Sequence, residues 1–113
     1  MADNIKILAQ LAAAATTVEA LYTTPNLSQT TVSTLVICNR TAGDLTFRVS
    51  AHEGDENPST PDNKQYLFYD AVINGNTTVT VTIGITLNQL DVLRTYASAT
   101  GLSFNMFGVE TTA

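Results

Sequence analysis

The sequence predicts an all-β protein: an antiparallel β-sandwich or jelly-roll-like barrel of about eight strands. Three observations point there. Val79, Val81, Ile83, Ile85 and Leu87 alternate with threonines or Gly84, the two-residue period of a strand with one wet face. Runs of this kind recur at intervals of roughly ten to fifteen residues after Pro25, with no amphipathic helix between them. Turn formers separate the runs, as in Arg40-Thr-Ala-Gly-Asp44 and Asn74-Gly75-Asn76. With 113 residues, the chain is sized for one core that buries roughly two thirds of the unfolded surface. A single domain over 1–113 is expected.

The elements follow in order. Residues 5–23 admit two readings. Leu8, Leu11, Ala12, Ala15, Val18 and Leu21 fall near one face of a helix, a state that alanine favours. The β-branched Thr16, Thr17 and Val18 and the lack of a cap favour two strands instead, 5–9 and 17–23, and this is the preferred reading. Pro25 and Asn26 break the chain. Strands are predicted over 30–39, 44–53, 64–73, 77–87, 92–97 and 102–109, each on apolar alternation or a continuous apolar run. Asn74-Gly75 reads as a hairpin turn, because both residues tolerate positive φ, and Gly101 marks another turn. Residues 53–63 hold Glu53, Asp55, Glu56 and Asp62 and no apolar side chain but prolines, so they are predicted to form an exposed acidic loop.

Two strands carry apolar residues on both faces. Strict alternation puts Tyr66 and Phe68 on one face of 64–73, with Leu67, Tyr69 and Ala71 on the other. In the last strand Leu102, Phe104 and Met106 oppose Phe107 and Val109. A two-layer sandwich buries one face of each sheet, so such strands need a second cover. Another subunit would supply it, with Tyr66, Phe68, Phe107 and Val109 as the candidate subunit interface. The N-terminal segment folding over them is the other possibility.

Composition excludes several classes of function. Charged residues make up 13% of the chain against roughly 25% in ordinary soluble domains, and the net charge is -5. Binding to a phosphate backbone needs clustered Lys and Arg, but Lys6, Arg40, Arg48, Lys64 and Arg94 are scattered. No nucleic-acid partner is expected. The apolar stretch 7–15 is too short to span a bilayer and too weakly flanked by basic residues for a signal peptide, so no membrane partner is expected either. Cys38 is the only cysteine and reads as a small buried hydrophobe. The Asn-X-Ser/Thr triplets at Asn26, Asn39 and Asn76 read as chance in a threonine-rich chain.

No enzyme and no cofactor are expected. The single histidine, His52, shares a strand face with Arg48 and Ser50 and reads as solvated rather than catalytic. One His and one Cys cannot make a zinc site. The acids of the 53–63 loop have neither calcium-loop spacing nor tryptophan beside them to hold a sugar for hydrolysis.

The runs Thr34-Leu-Val-Ile-Cys-Asn-Arg-Thr41, Thr46-Phe-Arg-Val49, Lys64-Gln-Tyr-Leu-Phe-Tyr-Asp70, Ile83-Gly-Ile-Thr-Leu87 and Leu102-Ser-Phe-Asn-Met-Phe-Gly-Val-Glu110 together resemble a group of short tailed-bacteriophage virion structural proteins, each a single β-sandwich module. Lys6-Ile-Leu-Ala-Gln10 and Leu21-Tyr-Thr-Thr-Pro25 extend the likeness; the acidic stretch after Glu53 is longer than in that group. The resemblance implies a non-enzymatic accessory virion protein, first a capsid decoration (cement) protein on the outer shell. A tail, baseplate or fibre-base component is second, and a carbohydrate-binding module is the alternative from another class. The implied partners are copies of the chain, as a trimer, and the major capsid protein or other virion proteins. Location would be the virion's outer surface after assembly in the host cytoplasm. The acidic charge agrees, since packaged DNA would repel it outward.

Overall fold

The computed structural model describes residues 2–55 and 60–112. They form nine strands: β1 (Ala2–Ala12), β2 (Glu19–Thr23), β3 (Ser28–Asn39), β4 (Leu45–His52), β5 (Tyr66–Ile73), β6 (Thr78–Val81), β7 (Ile85–Leu87), β8 (Val92–Ala97) and β9 (Leu102–Thr112). Among the described residues helix is confined to single 3-10 turns at Glu53–Asp55 and Asn63–Gln65. The N-terminal segment is therefore two strands, longer in β1 than the sequence predicts, and the helical reading of 5–23 is set aside.

All pairing is antiparallel apart from one isolated bridge, Ala15 to Ala97. One sheet runs β1-β9-β3 and then β6 and β7, which both pair β3; the other runs β2-β8-β4-β5. With β6 and β7 taken as one interrupted strand, the first strand pairs the last, the second pairs the last but one, and so inward to β4 with β5. A long hairpin rolled onto itself pairs in this nested order, and two sheets so formed make a jelly-roll sandwich. The turns at 40–44, 74–76 and Gly101 consequently carry the chain from one sheet to the other. Asn74-Gly75 is thus not the hairpin turn its sequence suggests. Asn39, 1% exposed, donates from Nδ2 to the carbonyls of Gly43 and Ile73, while Asn76 N donates to Thr41 O at 2.7 Å. These bonds dock the turn on the 40–44 loop, and they leave no room for a glycan on Asn39.

The predicted strand 77–87 breaks at 82–84. Val81 pairs Leu35 and Ile85 pairs Val32, so three residues lie opposite two, and β3 itself is bulged between Val32 and Thr34. Ile83 falls in this gap and is half-buried, outside the ladder. Val79, Val81 and Ile85 pack against the core as half-buried residues, and only Leu87 of that series is buried. The core itself is built from Val32, Leu35 and Ile37 of β3 and Leu102, Phe104 and Met106 of β9. Phe47, Val49, Leu93 and Ile73 face them from the other sheet.

Gly108 continues the inward face of β9, and a Cβ there would lie 2.1 Å from the Thr31 carbonyl oxygen and 3.0 Å from Leu8 Cδ1. Backbone has to shift to admit it. Gly108→Ala is expected to destabilise by about 1–3 kcal/mol, measured by urea denaturation; an unchanged midpoint would mean that the neighbouring bulges relax without cost.

Beyond Gly108 the core ends on a buried charge. Glu110 is 9% exposed and accepts a hydrogen bond from the Tyr22 hydroxyl and one from Lys6 Nζ at 3.0 Å. The Tyr22 hydroxyl also meets Thr30 Oγ1 at 2.8 Å. The Tyr22 hydrogen bond, aided by Lys6, outweighs desolvation and holds the Glu110 carboxyl below its ordinary range, while burial and the adjacent carboxylate push the Tyr22 phenol up to about 12.

Candidate functional site

The predicted four-residue interface does not form one patch. A register shift between β4 and β5 pairs Val49 with Phe68 but Ser50 with Tyr66, placing Leu67 in a bulge. The alternation reverses there. Phe68 turns inward, its ring 5.7 Å from Phe47, while Tyr66 turns outward, edge-on to Tyr69 at 4.8 Å. A second irregularity at Asp70, with φ 50°, sends Ala71 back to the core. Strict alternation made β5 look apolar on both faces because it cannot register two bulges. Phe107 and Val109 lie on the far side of the molecule. So Phe68 is a core contact, Tyr66 faces outward from the four-stranded sheet, and Phe107 and Val109 face outward from the five-stranded sheet.

Around those last two residues the structure adds partners. Ile5 pairs with Val109 and Ile7 with Phe107, so the N-terminal strand lies beside these side chains and does not cover them. Ile5 is 87% exposed and Ile7 53%. Ile5, Ile7, Phe107 and Val109 form an apolar band on the outer face, and β1 beside it is an edge strand with one row of backbone groups outside any ladder. The alternation of Ile5 and Ile7 about Lys6 was a readable strand signal; their pairing with β9 was not. Beyond the band the face is polar, with Gln10 bonded to Asn105 at 2.8 Å, Arg40 to Ser103 at 2.8 Å and Asp3 to Thr111 at 2.9 Å. Thr31, Thr78, Thr80 and Thr86 are exposed there. Cys38, expected to be buried, is half-buried and free of any disulfide.

The outer face of the four-stranded sheet holds the densest side-chain chemistry. Arg48 of β4 reaches Asp70 through two hydrogen bonds, Nε to Oδ1 at 2.6 Å and Nη2 to Oδ2 at 3.2 Å. Its guanidinium lies 4.2 Å from the Tyr69 ring centre and 4.6 Å from that of Tyr96. The Arg48 hydrogen bonds hold the Asp70 carboxyl below its ordinary range, and the carboxylate raises the guanidinium above its own. Beside this stack opens a cleft of about 480 Å³, walled by Tyr66 and Tyr96, the 16–18 loop and Thr60-Pro61. At its rim Thr16 takes φ 50° and donates its N–H to Ala97 O at 2.8 Å.

His52, expected to be solvated, is 1% exposed, with Nε2 2.7 Å from Ser50 Oγ. The 3-10 turn at Asn63–Gln65 packs against β4, Pro61 and Gln65 are buried, Gly54 N donates to the Asp91 carboxylate at 3.0 Å, and Gln65 Oε1 accepts from Asp62 N at 2.8 Å. Both ends of the 53–63 segment are thus pinned. Glu53, Thr60 and Asp62 are exposed, Pro61 is buried, and residues 56–59 of the expected acidic loop lie outside the described residues. Burial lowers the pKa of Arg94 on neighbouring β8. Among the described residues no three His, Cys, Asp or Glu side chains gather as a metal site, and no helix is long and apolar enough to cross a membrane.

No protein-family model matches the chain, and no curated protein matches it. Among solved structures it is similar to chains of infectious bursal disease virus. The Gx strain chain superposes with a TM-score of 0.49 at 14% identity over 96% of this chain. The Gt strain chain gives 0.46 at 11% identity, also over 96%. This chain spans 30% and 32% of those two chains.

Proposed function

We propose that the protein is a non-enzymatic structural component of a virus particle, and within that class a decoration protein on the outer shell of a tailed phage. A place in the tail, baseplate or fibre base is the other member of the class. The observation that carries the reading is the apolar band Ile5, Ile7, Phe107 and Val109 beside the open edge of β1. An outward apolar band of this kind is stabilised by association. Copies of the chain, as a trimer, and the capsid protein are the partners it would meet. Weak contacts held together in an oligomer bind a repeating shell far more tightly than one contact alone, because after the first the rest are intramolecular. Jelly rolls occur in viral capsid domains and in lectins, an analogy of fold that supports the class and no finer role. The acidic charge favours a position away from packaged DNA.

Sedimentation with empty phage shells stripped of accessory proteins, run beside isolated tails, tests the reading. The protein should pellet with shells and not with tails, and Ile7→Asp, which puts a charge into the contact, should stay in the supernatant. Pelleting with tails alone would move the protein to the appendage. Binding to neither would remove the proposal.

A further inference from the structure

We infer that the cleft on the outer face of the four-stranded sheet is a binding site for a neutral saccharide. Its size, about 480 Å³, falls within the usual range of small-ligand sites, roughly 300–1,000 Å³. Five of its groups are hydroxyls: those of Thr16, Thr17, Thr60, Tyr66 and Tyr96. Thr17 Oγ1 already donates to Ala15 O at 2.9 Å and can only accept, while the others can donate or accept, so the set matches a ligand that itself presents hydroxyls in both roles.

The charge arrangement removes the other small-ligand classes. Among the described residues Arg48 is the one charged residue of the lining, and its charge is already met by the two hydrogen bonds it donates to Asp70. A phosphate or carboxylate finds no uncompensated cation. A quaternary ammonium group is disfavoured as well, because the protein's own guanidinium already lies over the Tyr96 ring, and Tyr66 alone does not make an aromatic cage. Two of the five Arg48 donors are committed to Asp70, and the rest can serve a ligand oxygen. What fits is an uncharged molecule with hydroxyls at its edge and C–H groups on its face, which the Tyr66 ring would contact while the Tyr96 hydroxyl meets its edge. A sugar ring has that character.

The site is also held in shape before any ligand arrives. Tyr69 braces Tyr66 edge-on, Arg48 is fixed between two rings and a carboxylate, and the Thr16 backbone is pinned to β8. Such preorganisation lowers the ordering cost of binding. The cleft and the apolar band lie on opposite outer faces, so saccharide binding does not depend on the assembly proposed above.

Saturation-transfer NMR on the full chain tests this, with maltotriose, chitotriose and mannotriose as neutral probes. A sialylated trisaccharide and a proline-rich nonapeptide serve as competing classes. At least one neutral saccharide should receive saturation at its ring C–H protons. Tyr66→Ala should weaken that binding at least tenfold and Tyr96→Phe severalfold, while Ile5→Asp on the opposite face leaves it unchanged; circular dichroism of each variant should match wild type. The inference is overturned if no neutral saccharide is bound, if binding survives both tyrosine changes, or if only the charged sugar or the peptide is bound. Should Tyr66→Ala unfold, Tyr96→Phe decides alone, since it removes one hydroxyl and no ring.

Discussion

Phe104→Ala is expected to remove about 3–5 kcal/mol of stability, a large part of what a domain of this size possesses at about 0.05–0.15 kcal/mol per residue. The ring sits on β9 at 0% exposure, with its centre 6.3 Å from that of Phe47 and the planes at 75°. It joins the two sheets. Truncation leaves a cavity between layers whose backbones are fixed by ladders on both sides, so collapse can recover little of it. Urea denaturation at neutral pH measures the loss. Thr80→Ala, on the exposed face of β6, serves as the control and should change stability by less than about 0.5 kcal/mol. Equal effects from the two changes would mean that the inner and outer faces have been exchanged.

Tyr22→Phe is expected to cost about 1.5–3 kcal/mol, the usual range for a hydrogen bond to a charged group. Glu110 keeps Lys6 but loses the hydroxyl that does most to hold its carboxyl below the ordinary range. Because the folded protein binds that proton less readily than the unfolded chain, the stabilisation is complete above the unfolded value, about 4.3, and is lost as pH falls through the lower folded value. For Tyr22 the sign is reversed. Its raised pKa makes its contribution complete below about 10 and lost as pH rises through about 12. The gap between wild type and Tyr22→Phe should therefore be widest between about pH 5 and 9 and narrow on acidification. A gap of the same size at pH 7 and in strong acid would show that the loss comes from packing and not from the charge.

The strands and the sandwich were legible because they rest on local alternation, which survives throughout β9 and in β3 apart from the bulge between Val32 and Thr34. Bulges hid the rest. In β5 two extra residues reverse the alternation, so that Phe68, expected at a subunit contact, stands in the core while Tyr66 and Tyr69 meet outside it. In 77–87 a perfect run of alternation concealed a break, because mismatch with β3 is a property of the pairing and not of the run. Asn74-Gly75 carries a strong hairpin signal, yet the nested strand order makes it a crossing between sheets. The cleft was invisible for a related reason: Arg48, Tyr66 and Tyr96 come from three strands that only the ladders bring side by side. Phe107 and Val109 were found as outward apolar residues, but the exposure of Ile5 and Ile7 beside them depends on β1 pairing with β9 instead of folding over it. His52 was misjudged because its burial comes from tertiary packing that its own strand does not announce.

Light scattering across a wide concentration range, on wild type, Ile5→Asp and Phe107→Asp, tests the assembly claim most directly. Wild type should show a molar mass that is a multiple of 12.1 kDa, three times that value for the proposed trimer. Both variants should fall towards the single-chain mass while keeping a β-type circular dichroism spectrum. Ile5 is the sharper probe, because at 87% exposure its replacement removes almost no internal packing. A wild type that stays at 12.1 kDa at the highest concentration, or an Ile5→Asp variant that assembles as wild type does, would contradict the assignment of this face to subunit contact.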